Sequence, residues 1–485
     1  MSRFFSSSLW RDRLYIDGQW CAATSGNTFT VDNPASGETL GEVADGGAED
    51  ARRAIEAAAA ALAPWQALTA RERSRLLMSW YREVMAHQEE LAQILTLEQG
   101  KPLAEARAEI AYGASYIEWF AGEAVRIYGD LIAPPSDSRR LLVIKQPVGV
   151  VAAITPWNFP NAMLARKMAP ALAAGCTLVA KPAAQTPYSA LALAVLAEKA
   201  GIPAGVINLV PGSQAAAIGE VFTGHPLVRK ITFTGSTAVG KKLLVQSADG
   251  VRKVTLELGG NAPFIVFDDA DLPAALSGAM ASKLRNAGQT CVCANRFYIQ
   301  EKIYDAFAEG LAGQMADLRV GDGCDPEVAI GPLINEAAVK KVEELVADAL
   351  QRGARLVTGG RRQSPGSLFY LPTLLTEVPA DARLTREEIF GPVAALVRFA
   401  DEAQVLQWAN DSALGLSAYF YSRDAARIWR FAEQLEAGIV GVNDGSISNE
   451  MAPFGGIKES GLGREGSRYG LDDYLNIKYI CQGGI

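Results

Sequence analysis

From residue 149 onward the sequence repeats one pattern: a short continuous apolar run, then a segment of helix length. "VGVVAAIT" (148–155) leads into "NAMLARKMAPALAAG", whose last residue, Gly175, stands where a helix C-terminal glycine would. "CTLVAK" (176–181) precedes "PYSALALAVLAEKAG" (187–201), with Pro187 near its start and Gly201 past its end. "GVINLV", "RKITFT" and "KVTLEL" carry the series to 258. A strand with one wet face alternates apolar and polar residues, whereas "VGVVAAIT", "CTLVAK" and "GVINLV" are built on continuous apolar stretches. Such strands, separated by helices, imply βαβ units and a parallel sheet covered on both faces.

A second series begins after 259 with "APFIVF", the helical "LPAALSGAMASKLRNAG", "RFYIQ" and "KIYDAFAEGLAGQMADL". The expected class is therefore α/β, with two parallel-sheet domains divided near "LELGGNAP" (256–263). The stretch before 149 reads as mostly helical, and its Ala-rich "AEDARRAIEAAAAALAPWQAL" as an ordinary amphipathic helix. "IAPPSDSRRLLVIKQP" (132–147) joins a Pro turn to an alternating strand, the pattern of a protruding hairpin, and "GGRRQSPGSLF" (359–369) is a loop.

Charge excludes some partners. The net charge is −8 and basic residues are scattered, so nucleic acid and anionic membranes are not expected ligands. Six cysteines in 485 residues make no disulfide framework and fit a reducing compartment. The N-terminal "MSRFFSSSLWRDRLYIDGQW" has the Ser and Arg content of a transit peptide, but acids follow soon and it lacks a signal-peptide apolar core. No apolar run approaches the ~20 residues of a membrane span. A soluble, cytoplasmic protein is expected.

Several stretches carry chemistry. "GSTAVGKK" (235–242) nearly matches a nucleoside-triphosphate phosphate loop, but Lys242 replaces the hydroxyl that would hold Mg²⁺. What remains is a strand, a Gly-Ser-Thr turn and a helix start, which favours a phosphate but is also an ordinary turn. No G-x-G-x-x-G is present. "NAGQTCVCANR" (286–296) sets Cys291 and Cys293 one residue apart. They could be metal ligands, a redox pair, core filler, or a nucleophile and its neighbour. With no second cysteine pair and only His87 and His225 in the chain, there is no zinc spacing and no metal is expected. The same scarcity makes a carboxylate the better proton acceptor for a nucleophilic Cys291. Glu257 ends an apolar strand before two glycines, so it is either ion-paired in the core or a buried base with a raised pKa. In "AITPWNFP" (153–160), Pro156 and Pro160 hold Trp157, Asn158 and Phe159 at the carboxyl end of a strand. That is a rigid packing turn, or a fixed amide donor of the kind an oxyanion hole requires.

Taken together, "TPWNFP", "FTGSTAVG", "LELGGNAP", "GQTCVCANR", "EEIFGPV" and "NDGSISNEMAPFGGIKESGLGREG" resemble the successive signatures of the aldehyde dehydrogenase superfamily, from about Leu14 to the C-terminus. The wording of "RNAGQTCVCANR" and "ISNE" is most similar to succinate-semialdehyde dehydrogenases, with glutarate-semialdehyde enzymes close behind. The resemblance implies a dinucleotide-binding domain (9–128 and 148–257), a catalytic domain (258–460) and oligomerisation elements (129–147 and 461–485). It implies Cys291 as nucleophile, Glu257 as general base and Asn158 as oxyanion-stabilising amide. Thr155, Trp157, Lys181, Ala184, Gly235, Ser236, Glu388 and Phe390 would hold the cofactor, and Arg166, Arg285 and Ser448 the substrate carboxylate.

The implied reaction adds Cys291 to the aldehyde carbon, passes hydride to the nicotinamide and leaves a thioester that Glu257-activated water hydrolyses. Ala184 stands where NAD-preferring relatives often carry Glu, so NADP⁺ is favoured over NAD⁺. The partners expected are a small-molecule aldehyde, with a semialdehyde carboxylate favoured, and further copies of the chain in a homodimer or homotetramer. Cys293 is either packing or a redox partner for Cys291. Two other classes remain open on sequence: a cysteine acyl-transferase or hydrolase, and a non-catalytic protein that kept the fold.

Overall fold

The computed structural model describes residues 7–484; residues 1–6, which begin the stretch with transit-peptide character, and residue 485 lie outside the described residues. Five strands form the parallel centre of an eight-stranded sheet, in the spatial order Ile207–Leu209, Thr177–Lys181, Val150–Ile154, Val228–Thr234 and Lys253–Glu257. Each matches an apolar run of the sequence, and Thr177–Lys181 is buried at every position. The helix Pro160–Ala174 is buried along its whole length, starts on a proline whose missing N–H costs nothing there, and stops at left-handed Gly175.

Strand order reverses direction between Val150–Ile154 and Val228–Thr234, which lie side by side. In open α/β sheets the crevice beyond the carboxyl ends at such a point is where ligands bind. The loops that leave those two strands carry Trp157 and Asn158 on one side, Gly235 and Ser236 on the other.

The second sheet has seven strands: Arg355–Thr358, Thr373–Thr376, Val393–Phe399, Ala294–Gln300, Ala262–Val266, Ser417–Tyr421 and Ile439–Val442. All neighbours are parallel except the first pair. A third, antiparallel sheet joins Asp130–Ile132, Arg139–Pro147 and Leu475–Gly483. It leaves Leu131 and Ile477 each 75% exposed.

Two sequence expectations are corrected. The C-terminal segment taken from 461 as one oligomerisation element begins by extending the first sheet: Gly461–Leu462 pairs antiparallel with Leu256 and Glu257. Gly461 is required there, since a Cβ would stand 2.1 Å from the Leu256 carbonyl oxygen. Only Leu475–Gly483 joins the hairpin. The helix read to Gly288 ends at Leu284, and Asn286, Ala287 and Gly288 follow with φ of 52°, 54° and 76°. Two consecutive non-glycine residues in the left-handed region are strained. Glu105 helps hold the turn by accepting from the Asn286 N–H at 2.8 Å. The turn carries the chain into Cys291.

Candidate active site

A cavity of about 280 Å³ lies between the two sheets. One wall is the switch-point loops of the first sheet, residues 156–159, 234–236 and 258–259; the other is 285, 290–292 and 388–390. Of the residues singled out in the sequence, Trp157, Asn158, Arg166, Gly235, Ser236, Arg285, Cys291, Glu388, Phe390 and Ser448 all line it. Thr155, Lys181, Ala184, Glu257 and Cys293 do not.

Glu257 sits behind the wall. It is 1% exposed, and neither carboxylate oxygen has a hydrogen-bond partner among the described residues. Burial drives its pKa well above the usual carboxylate range, Glu465 adds to the rise, and Arg166 and Lys167 oppose it. Of the two sequence alternatives, the buried and unpaired carboxyl is the one observed. Glycine at 455 leaves room for it, since a Cβ there would stand 2.8 Å from Glu257 Oε1.

Burial also pushes the Cys291 thiol up to about 12, with Arg166 and Arg285 pulling down and Glu388 and Glu257 pushing up. A cation close to the sulfur would bring the thiolate into range. Cys293 is buried, and its thiol donates to the Lys283 and Ala294 carbonyls at 3.5 Å. It is engaged with backbone away from the cavity, which favours the packing reading over the redox one.

Asn158 is held from several directions. Its Nδ2 donates to the Gln289 carbonyl at 3.0 Å, and its Oδ1 accepts from the Phe159 N–H at 3.1 Å. One Nδ2 hydrogen therefore remains for a ligand in the cavity.

The two arginines differ. Arg166 is fully buried, ion-paired to Glu465, and stacked over Phe454 at 4.2 Å. Glu465 also pairs with Lys167. Arg285 is half-buried, stacks on Phe159 at 4.6 Å and has no acidic partner within ion-pair distance among the described residues. Its charge is the more available of the two. Ser448 borders the cavity and, with Arg285, Thr290 and Tyr419, a small adjoining recess.

The chemistry of the remaining residues fits a dinucleotide. Ser236 caps the helix Thr237–Ala248 at the switch point and lines the cavity, and the N–H groups of a helix start favour a phosphate. Lys181 is buried with its pKa lowered to about 8 by desolvation, and has no ion pair among the described residues. A 2′-phosphate would supply one. Thr155 has a buried hydroxyl without a hydrogen-bond partner among the described residues. Trp157 and Phe390 meet edge to face at 5.6 Å, and Phe390 has φ 55°. Glu388 accepts from the Gly260 N–H at 3.0 Å, and Gly259 leaves its carboxylate room.

Sequence reasoning missed Tyr112, Lys341 and Phe454 in the cavity wall, and Glu465 behind it. Lys341 donates to the Glu388 carbonyl at 2.6 Å. Glu465 falls in the quoted "GREG" stretch, but nothing in local spacing pairs it with Arg166.

The profile of the Aldehyde dehydrogenase family matches residues 20–480. The succinate-semialdehyde dehydrogenase [NADP(+)] of Escherichia coli is 60% identical over 477 residues, covering 98% of this chain and 99% of that protein. A glutarate-semialdehyde dehydrogenase of Pseudomonas aeruginosa is 58% identical over 99% of both chains. The crystal structure of succinate-semialdehyde dehydrogenase from Burkholderia pseudomallei superposes with a TM-score of 0.97 at 59% identity, covering 98% of each chain. A cavity of this composition between two parallel sheets, on a chain matched along nearly its full length, leads to one assignment: the protein belongs to the aldehyde dehydrogenase family.

Proposed function

We propose that this enzyme oxidises succinate semialdehyde to succinate with NADP⁺. Family membership makes it an NAD(P)-dependent oxidoreductase of aldehydes. The finer reading is carried by one observation: Cys291 borders the same cavity as Arg285, which has no ion-paired acid among the described residues. A nucleophile needs its aldehyde carbon close by, and a guanidinium beside it recognises a substrate whose far end is a carboxylate.

In this reading the Cys291 thiolate adds to the aldehyde carbon, and the resulting oxyanion accepts a hydrogen bond from the free N–H of Asn158 Nδ2. NADP⁺, when bound, would supply the hydride acceptor and a positive charge that favours the thiolate. Gly235, Ser236 and Trp157 would hold its pyrophosphate, and Lys181 and Thr155 its adenosine ribose. Ala184 would leave space for the 2′-phosphate, while Glu388 and Phe390 would hold the nicotinamide ribose and ring. Glu257, once deprotonated, takes a proton from the water that releases succinate from Cys291. Arg285, Arg166 and Ser448 orient the carboxylate.

The dinucleotide-binding role belongs to the first sheet and catalysis to the second. The exposed apolar face of the third sheet supports a homodimer or homotetramer. Six free cysteines accord with a cytoplasmic location. A second reading, glutarate semialdehyde as substrate, is favoured by the 58% identical relative of that name. Absorbance at the NADPH band, followed with each semialdehyde and each cofactor, decides. The highest kcat/KM is expected for succinate semialdehyde with NADP⁺. Acid formation without NADPH would instead reveal a hydrolase or acyl-transferase.

A further inference from the structure

Lys101 stands between Gly100 and Pro102 at the join of two helices, Gln88–Gln99 and Leu103–Ala124. It is 1% exposed and lies outside the cavity wall, so the reaction as derived above does not use it. A lysine this deep needs partners. It pairs with the wholly buried carboxylate of Glu109 and packs over the Phe159 ring at 3.9 Å. Its ammonium also donates to the backbone carbonyl of Asn158 at 2.7 Å. Glu109 grips the other side of the same turn, accepting from the N–H groups of Asn161 and Ala162 at 3.0 and 3.2 Å.

The bond to Asn158 has a consequence beyond anchoring. A cation on a peptide carbonyl polarises that peptide and makes its N–H a stronger donor. Here that N–H belongs to Phe159, and it donates to Asn158 Oδ1 at 3.1 Å. The side-chain amide is polarised in turn, with its oxygen tied back and its Nδ2 hydrogens directed to the Gln289 carbonyl and the cavity. Asn286 Nδ2 adds a neutral donor to the same Asn158 carbonyl at 3.0 Å. The chain of bonds therefore runs from Lys101 through one peptide to the amide hydrogen that faces the reacting carbonyl.

We infer that Lys101 is a positioning residue for aldehyde oxidation, acting on the Asn158 amide through the Asn158–Phe159 peptide. This rests on the reading of Asn158 as the oxyanion donor. It assigns Lys101 no contact with substrate or cofactor. Its effect appears in the rate of hydride transfer and not in cofactor affinity.

The test is a double-mutant cycle between Lys101→Met and Asn158→Ala. Hydride transfer is followed in single turnover, with full-length enzyme in excess over NADP⁺ and at saturating semialdehyde, so that binding through Arg285 does not enter. Lys101→Met is expected to slow transfer about tenfold while leaving the NADP⁺ dissociation constant unchanged. Asn158→Ala alone should cost about 10²–10³-fold. In the Asn158→Ala background, Lys101→Met should cost nothing further. Because Lys101→Met leaves Glu109 buried without its cation, Lys101→Met/Glu109→Gln is measured as well and should show the same slow transfer with a parental melting temperature. Parental rates in both Lys101 variants would overturn the inference. So would an equal tenfold loss in the Asn158→Ala background, which would mean that Lys101 acts elsewhere. A parental rate in Asn158→Ala itself would instead remove the oxyanion reading, and this inference with it.

Discussion

Arg166 is ion-paired with Glu465 where both side chains are all but inaccessible to solvent. Lys167 shares the same carboxylate, so one acid compensates two buried cations. Glu465→Gln should therefore leave two charges underpaired in the core. Its expected cost is about 3–5 kcal/mol, the usual penalty for breaking a buried pair from one side. Chemical denaturation reads it as a lower midpoint with an unchanged slope.

Arg285 should behave differently. It has no ion-paired acid among the described residues, and among buried carboxyls it acts on Glu105 only at longer range, beside the nearer Lys101. If it binds the substrate carboxylate, the loss is one or two charge-assisted bonds worth roughly 1.5–3 kcal/mol each, or at least about tenfold in KM. KM for succinate semialdehyde should rise by that factor, while an uncharged aliphatic aldehyde is hardly affected. Equal losses on both substrates would show that Arg285 supports the cavity and does not choose the substrate.

Much of this fold was legible because buried parallel strands carry their own signature. Val150–Ile154 and the Leu178–Ala180 centre of Thr177–Lys181 are apolar runs with nothing to alternate against, and Gly175 and Pro187 mark helix ends by backbone chemistry alone. Cys291 and Asn158 stood out because each sits in an irregular turn, but local sequence left packing open and only the resemblance to the aldehyde dehydrogenase family gave them roles. Contacts made across the chain were not legible. Nothing near Glu465 announces Arg166, and nothing in "EQGKPLAEARAEI" (98–110) announces that Lys101 reaches Asn158. The early end of the helix Leu272–Leu284 was missed because Asn286 and Ala287 are ordinary residues held left-handed by tertiary bonds, one of them from Glu105.

Glu257 couples pH to both stability and turnover. Its pKa is raised in the folded protein, so the folded chain holds a proton that the unfolded chain has lost above the ordinary carboxylate range. Stability must then fall as pH rises through that interval. Glu257→Gln removes the term, and its melting temperature should gain on the parent as pH rises above the ordinary carboxylate range. Hydrolysis has the opposite sign, since only the deprotonated carboxyl can serve as base. The parental rate should climb with pH over the same range, whereas Glu257→Gln should form one NADPH per site and stall. A pH-independent difference in melting temperature would contradict the buried neutral carboxyl.

Cofactor choice is testable at Ala184, in the turn that follows Thr177–Lys181. Ala184→Glu should repel a 2′-phosphate and offer an acceptor to the 2′-hydroxyl of NAD⁺. The ratio of kcat/KM for NADP⁺ to that for NAD⁺ should fall by about tenfold or more, with Cys291 reactivity unchanged. No change in the ratio would mean that the ribose lies elsewhere.

The account stands most directly on a covalent bond to Cys291. Glu257→Gln enzyme is mixed with NADP⁺ and succinate semialdehyde, quenched in acid, digested and examined by mass spectrometry. A succinyl group is expected on the peptide that carries Cys291 and Cys293, on Cys291 alone, in amount equal to the NADPH formed. Cys293→Ala in the same background should give the same adduct, and Cys291→Ala should give neither adduct nor NADPH. NADPH formed by Cys291→Ala, or an acyl group carried on any other residue, would contradict the account.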